Sequence, residues 1–191
     1  ESEPPISWKH RADMGILAEP YWLSVLEEAG YNIGIPIPSK AKCGPHMTTY
    51  IDGIMDWKYP IEIKDKTGFG YKKLVTEQYS GLAGREPGEY TQVQLGMYAV
   101  NAKVALYLCA PADPALLQRV MRDSKQFGPS YELPPFYLEW VPRNDTHIDM
   151  ALERAEMIVK DLGQDTAPPR EFDGIPVNKK GEPKFPCGWC S

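Results

Sequence analysis

The stretch Tyr50-Ile51-Asp52-Gly53-Ile54-Met55-Asp56, followed by Pro60-Ile61-Glu62-Ile63-Lys64, constrains this chain more than any other. It reads as two strand-like runs with Trp57, Lys58 and Tyr59 turning between them. Residues i and i+2 of a strand point to the same side. Glu62 and Lys64 therefore share a face, while Ile61 and Ile63 point the other way, into a core. A hairpin of the two runs brings Asp52 beside Glu62 and Lys64. Two carboxylates and an ammonium together suit an oxygen-ligated divalent cation and a phosphodiester. A solvated surface hairpin is the alternative that so short a pattern leaves open.

The flanks predict an α/β fold. Arg11 to Ala29 reads as an amphipathic helix, with Ile16, Leu17, Tyr21, Leu23, Val25 and Leu26 at spacings of three and four and Gly30 as its stop. Pro20 inside it is a candidate kink. Asn32 to Ile37 alternates as a strand. Tyr90 to Val100 reads as a helix on which Gln94 and Tyr98, four apart, share a face. Further strands are expected over Lys103–Cys109 and Phe136–Val141, and helices over Pro114–Gln126 and Thr146–Leu162. Asp145 is the expected cap of the last helix and Gly163 its end. From Thr67 to Glu89 no period is evident, which predicts a flexible loop. Its Lys66, Lys72 and Lys73, with Lys58 and Lys64, interleave with Trp57, Tyr59, Phe69 and Tyr71. Such a stretch grips phosphates and stacks on unpaired bases, or is simply a solvated loop. Arg119, Arg122 and Lys125 read as a solvated helix face.

The order Asp52, Glu62-Ile63-Lys64, Gln94-x-x-x-Tyr98 resembles the PD-(D/E)XK nuclease superfamily, in its RecB-like and phage-exonuclease-like branch. The resemblance implies a restriction-endonuclease-like core, a central mixed sheet flanked by helices, over residues 1–163, with 164–191 as an extended tail packed on it. It implies catalysis by Asp52, Glu62 and Lys64. One or two Mg²⁺ or Mn²⁺ ions would be held by Asp52, Glu62 and the Ile63 carbonyl. Members of this branch carry an acid or histidine toward the metal from an upstream helix. Glu19, in Gly15-x-x-x-Glu19, is the candidate ahead of His10; an exposed helix carboxylate is its plainer reading. Gln94 and Tyr98 would line the DNA path, with Lys66, Lys72 and Lys73 as further contacts.

The implied activity is hydrolysis of DNA, at double-stranded ends or on single strands, in recombination, repair or phage DNA processing. A recombination or single-strand-annealing protein is an expected partner. A structure-specific endonuclease such as a junction resolvase, or a catalytically silent nucleic-acid-binding subunit, is the alternative.

The 191 residues are enough for one domain with a real core, and 42% hydrophobic with 25% charged residues is ordinary for a globular chain. The net charge of −5 argues mildly against non-specific nucleic-acid binding. A local basic patch matters more than the total. No apolar run is long enough to span a membrane and no signal peptide is visible, so a cytoplasmic, reducing compartment is expected; the resemblance implies a bacterial or phage-encoded protein. No P-loop, G-x-G-x-x-G or G-x-S-x-G is present, and His10, His46 and His147 are too scattered for a histidine metal site.

The tail ends Phe185-Pro186-Cys187-Gly188-Trp189-Cys190, a ligand spacing. Some RecB-like nucleases close their fold with cysteines around an iron–sulfur cluster. By that resemblance Cys43, Cys109, Cys187 and Cys190 are candidate ligands of a [4Fe-4S] cluster. The family keeps three of its four cysteines near the C-terminus and this chain only two. A zinc site of Cys187, Cys190, Cys43 and His46, a Cys187–Cys190 disulfide, and free thiols with Cys109 in the core are the alternatives.

Overall fold

Tyr59-Pro60-Ile61-Glu62-Ile63-Lys64-Asp65-Lys66 alternates apolar and charged residues, and it forms the strand about which the sheet is built. The computed structural model describes residues 18–34, 41–42, 44, 47–76 and 81–162. Residues 1–155 make one unit and 156–191 a second.

In chain order the elements are a helix over 18–28 (α1), β1 (Ile33–Gly34), β2 (Ala41–Lys42), β3 (Thr48–Thr49), β4 (Gly53–Met55) and β5 (Tyr59–Lys66). Then come α2 (Gly68–Thr76), α3 (Gly81–Arg85), α4 (Pro87–Ala99), β6 (Val104–Pro111), α5 (Pro114–Arg122), β7 (Tyr137–Pro142) and α6 (Asp145–Leu162). The main sheet has the order β1-β4-β5-β6-β7, and β2 pairs with β3 apart from it. All pairs are antiparallel except β5–β6. A parallel pair needs a long crossover, which α2, α3 and α4 supply. The chain is thus α/β, a five-stranded mixed sheet flanked by helices, as the sequence predicts.

The pleat divides the core in two. Ile61 and Ile63 of β5 join Met55, Leu106 and Leu108 under Leu23 and Leu26 of α1. On the other face Ala105, Tyr107 and Cys109 of β6 meet Tyr71 and Leu74 of α2, Val93 and Met97 of α4 and Leu117 and Met121 of α5. Glu62 and Lys64 lie on this second face.

The structure corrects several expectations. Residues 68–76 and 81–85, expected in a loop, are helical: Tyr71, Leu74 and Leu82 are buried and draw α2 and α3 onto the sheet. Such short helices owe their stability to tertiary packing rather than periodicity. The cap of α6 is Asn144, whose Oδ1 accepts from His147 N–H at 3.1 Å, while Asp145 takes Arg143 Nε at 2.6 Å. Gly30 does end α1, with φ +97° and its N–H bonded to Glu27 O. Residues 35–37 of the expected first strand, and His10, His46, Cys43, Cys187 and Cys190, lie outside the described residues.

Candidate active site

Asp52 sits just before β4. Its N–H donates to Ile61 O at 3.2 Å, and its Oδ2 accepts from Ile63 N–H at 2.7 Å. A side chain thus continues the ladder where the backbone pairing stops at Gly53–Ile61. The N–H and C=O of one strand residue point to the same side. Lys66 O bonds Ala112 N–H on the β6 side, so by alternation the Ile63 carbonyl points toward the β4 edge, beside Asp52. Gly53 lets α1 come close: a Cβ there would stand 2.7 Å from Leu23 Cδ2. That approach carries Glu19, near the start of the described part of α1, into the field of Asp52 and Lys64.

Glu62 is 4% exposed. Burial above all, helped by Asp52 and Glu89, pushes its carboxyl up to about 8, although Lys64 pulls the other way. Lys64 Nζ donates to Glu62 Oε1. Burial alone would depress the Lys64 ammonium; the carboxylates of Glu62, Asp52 and Glu89 outweigh it and raise the pKa. Asp52 is also raised, by burial, against its bond from Ile63 and the charge of Lys64. Glu19 is raised by burial and by Asp52. Three acids are therefore held in a place that disfavours their charge, beside one retained cation.

Among the described residues no three His, Cys, Asp or Glu side chains come close enough together to hold a metal ion. The donor set here is smaller: two carboxylates and a backbone carbonyl, with Glu19 on the Asp52 side. All are hard oxygen donors, which fits Mg²⁺ or Mn²⁺. A cation would replace the proton that burial makes Glu62 retain.

The remaining expected contacts are placed differently. Gln94 is fully buried: Nε2 donates to Pro142 O at 2.9 Å and Oε1 accepts from Asn144 N–H at 2.7 Å. Tyr98 is 38% exposed, with the Arg143 guanidinium 5.6 Å from its ring centroid. The face that these two share is turned to residues 142–144, and both polar ends of Gln94 are taken up by the backbone there. Lys66 Nζ is 2.5 Å from Glu89 Oε1 and 3.5 Å from Glu86 Oε2. Lys73 Nζ lies 3.8 Å from Glu86 Oε1 and donates to Arg85 O. Lys72 Nζ sits 5.5 Å from the Phe127 ring centroid. The expected basic patch is thus largely neutralised by acids more than ten residues away. Cys109 lies in the apolar cluster, fully buried, and burial pushes its thiol up to about 12. It packs as a core residue. His147 is structural: its Nε2 lies 2.8 Å from Thr91 Oγ1 and its ring is edge-on to Tyr90.

Sequence reading missed Glu89 and Tyr107. Tyr107 is the register partner of Glu62 on β6, and its hydroxyl donates to Glu89 Oε2 at 2.5 Å. The available signal was a lone polar ring in an otherwise apolar strand, and an acid in the first turn of α4.

The raised acids give a pH signature. Between the ordinary carboxylate range and about 8 the folded, metal-free protein keeps a proton on Glu62 that the unfolded chain has lost. Stability from this group is therefore full at acid pH and lost as pH rises through 8. Asp52 and Glu19 shift in the same direction. Mn²⁺ must displace that proton, so its affinity should rise up to about tenfold per pH unit below 8 and level off above. Thermal melts and calorimetric Mn²⁺ titrations from pH 5.5 to 9 check this; an affinity flat across the range contradicts it.

No family model and no curated protein matches the chain. Among solved structures it is similar to LHK-Exo in complex with dAMP, at TM-score 0.51 and 16% identity over 84% of this chain and 74% of that one. It also matches a structure of an alkaline exonuclease (LHK-Exo) from Laribacter hongkongensis, at TM-score 0.46 and 14% identity over 79% and 71% of the two chains. No described helix is long and apolar enough to cross a membrane. The first of these likenesses shows that the chain shares the fold of LHK-Exo.

Proposed function

We propose that this chain is a divalent-metal-dependent DNA nuclease, of exonuclease type, processing DNA ends in recombination, repair or phage DNA metabolism. One observation carries the reading. Asp52, bonded to Ile63 N–H, lies beside a buried Glu62 that is paired with Lys64, on the central strand where its pairing with β4 stops, in a fold shared with LHK-Exo. The oxygens of Asp52 and Glu62 and the Ile63 carbonyl would hold Mg²⁺ or Mn²⁺, with Glu19 assisting. Such an ion supplies charge neutralisation at the phosphate and acidifies water. Lys64 keeps its proton, and its Nζ donates to the attacking water or to the charge that grows on phosphorus. Glu62 and Val93, both buried on the α4 side of the sheet, keep bulk water from that side. Incubation of purified protein with linear and closed circular DNA, with Mg²⁺, Mn²⁺ or EDTA, tests the reading. Metal-dependent loss of the linear DNA alone is expected. Cutting of both makes the chain an endonuclease, and cutting of neither removes the proposal.

We further propose that Cys187 and Cys190 bind a metal, iron–sulfur rather than zinc, that holds the tail. In this proposal Cys109, buried in the apolar core, stays outside the ligand set. Anaerobically purified protein should be brown and contain iron. Cys187→Ser should lose the metal and melt lower, whereas Cys109→Ala should keep it. Protein containing neither iron nor zinc removes both versions.

A further inference from the structure

We propose that Trp57 is a stacking platform for an unpaired nucleic-acid base, on the same sheet face as Asp52 and Glu62. The inference rests on the nuclease reading above and adds where the strand runs beyond the carboxylates.

Trp57 is 79% exposed, yet its ring is placed. A Cβ built on Gly34 would stand 2.9, 3.2 and 3.3 Å from Cζ3, Cη2 and Cε3 of that ring. Near-equal distances to three adjacent ring carbons mean approach onto the ring face; approach to the edge would leave the neighbours of the nearest carbon much farther away. One face of the indole therefore lies on the Gly34 backbone, and the exposed remainder is open to solvent.

The register says which side of the sheet this is. Gly34 pairs with Ile54, and Ile54 with Pro60. The neighbouring row, Ile33, Met55 and Tyr59, belongs to the apolar cluster under α1. Gly34, Ile54 and Pro60 therefore face the other way, the way of Glu62, two residues along β5. Two strand spacings across and two residues along place Gly34 about 12 Å from Glu62.

The turn gives a second reason. Asp56 and Trp57 both adopt left-handed backbone, φ +51° and +57°. They are the central pair of the turn closed by Lys58 N–H on Met55 O, and a pair with both φ positive favours Asn-Gly. Asp56 is compensated by Asn32, whose N–H donates to Asp56 Oδ1 at 3.2 Å and whose carbonyl accepts from Asp56 N–H at 2.7 Å. A bulky aromatic at the next position is an outlier that turn chemistry does not ask for. What the position keeps is the ring. Lys58, next in the chain and on the surface, holds its Nζ 4.8 Å from the Tyr59 ring centroid, toward the other face, and leaves the indole uncovered. A flat ring with one open face is how sequence-tolerant single-strand binders hold bases.

The test uses full-length protein carrying Glu62→Gln to suppress cleavage, in Mg²⁺, with a fluorescein-labelled oligothymidine and copies bearing one abasic residue at successive positions. Trp57→Ala and Trp57→Gly should each weaken binding about tenfold, and Trp57→Phe much less. Glycine suits the left-handed backbone, so an unchanged melt of Trp57→Gly separates loss of the ring from loss of the turn. Gly34→Ala, which pushes the ring off its seat, should weaken binding like Trp57→Ala. At one position the abasic copy should bind the parent weakly but bind Trp57→Ala no worse than the intact oligonucleotide. Unchanged affinity in both Trp57→Ala and Trp57→Gly, or no such abasic position, overturns the platform while leaving metal-dependent cleavage by the wild type standing. A wild-type protein that neither binds nor cuts DNA removes the nuclease reading itself.

Discussion

Glu62→Gln and Asp52→Asn should each lower metal-dependent cleavage by on the order of 10³-fold or more, while the protein stays folded and binds DNA at least as tightly. The amide variants matter because they keep the hydrogen bonds. An asparagine oxygen at 52 still accepts from Ile63 N–H, the 2.7 Å bond that anchors the end of the hairpin. A glutamine oxygen at 62 still accepts from Lys64 Nζ. What each removes is charge. Fewer negative charges repel the phosphate less, so binding survives or tightens. Stability moves opposite to activity. The folded protein disfavours the Glu62 charge, with a carboxyl pushed up to about 8 by burial. Above that pH, without metal, Glu62→Gln should therefore melt higher than wild type. Glu62→Ala behaves otherwise, because it strips the half-buried Lys64 of its partner, and it should melt lower. Single-turnover cleavage, DNA-binding titrations and melts at two pH values check all of this. Wild-type cleavage rates in either amide variant sink the site.

Lys64→Ala should cost on the order of 10²-fold or more in the rate of cleavage at saturating Mn²⁺, the usual cost of losing one transition-state donor. Lys64→Arg should recover only part of it, because a planar fork does not reproduce a compact point donor. The pH profile gives a readout that a merely structural lysine does not move. Lys64 is the main influence opposing the burial of Glu62. Its removal should push the Glu62 carboxyl higher still and displace the rise of activity toward alkaline pH. The direction is fixed: losing a cation always makes a neighbouring carboxylate harder to ionise. Lys64→Ala with a normal rate and an unmoved profile reduces Lys64 to a solvated strand residue.

The heart of this site was legible in sequence because it is local. Glu62 and Lys64 share a face by the two-residue repeat, and Asp52 reaches them through a hairpin whose partners are only about ten residues apart. The strands Val104–Pro111 and Tyr137–Pro142 were legible for the same reason, each carrying its own apolar run or alternation, and so was the body of α4 from Tyr90, though not its first turn. What tertiary structure alone decided depends on residues far apart in the chain. Lys66 and Lys73 read as a basic patch, but Glu86 and Glu89, brought over by the β5–β6 crossover, pair with them. Gln94 reads as a contact on an open helix face, but Pro142 and Asn144 close over it. The helices at residues 68–85 have no period to read, since packing against β6 selects them. Sequence determines which side of its own strand or helix a residue occupies. Whether that side meets water, an opposite charge or a core depends on what the sheet order places across from it, and a side chain's desolvation and charge partners, hence its chemistry, follow from that neighbour.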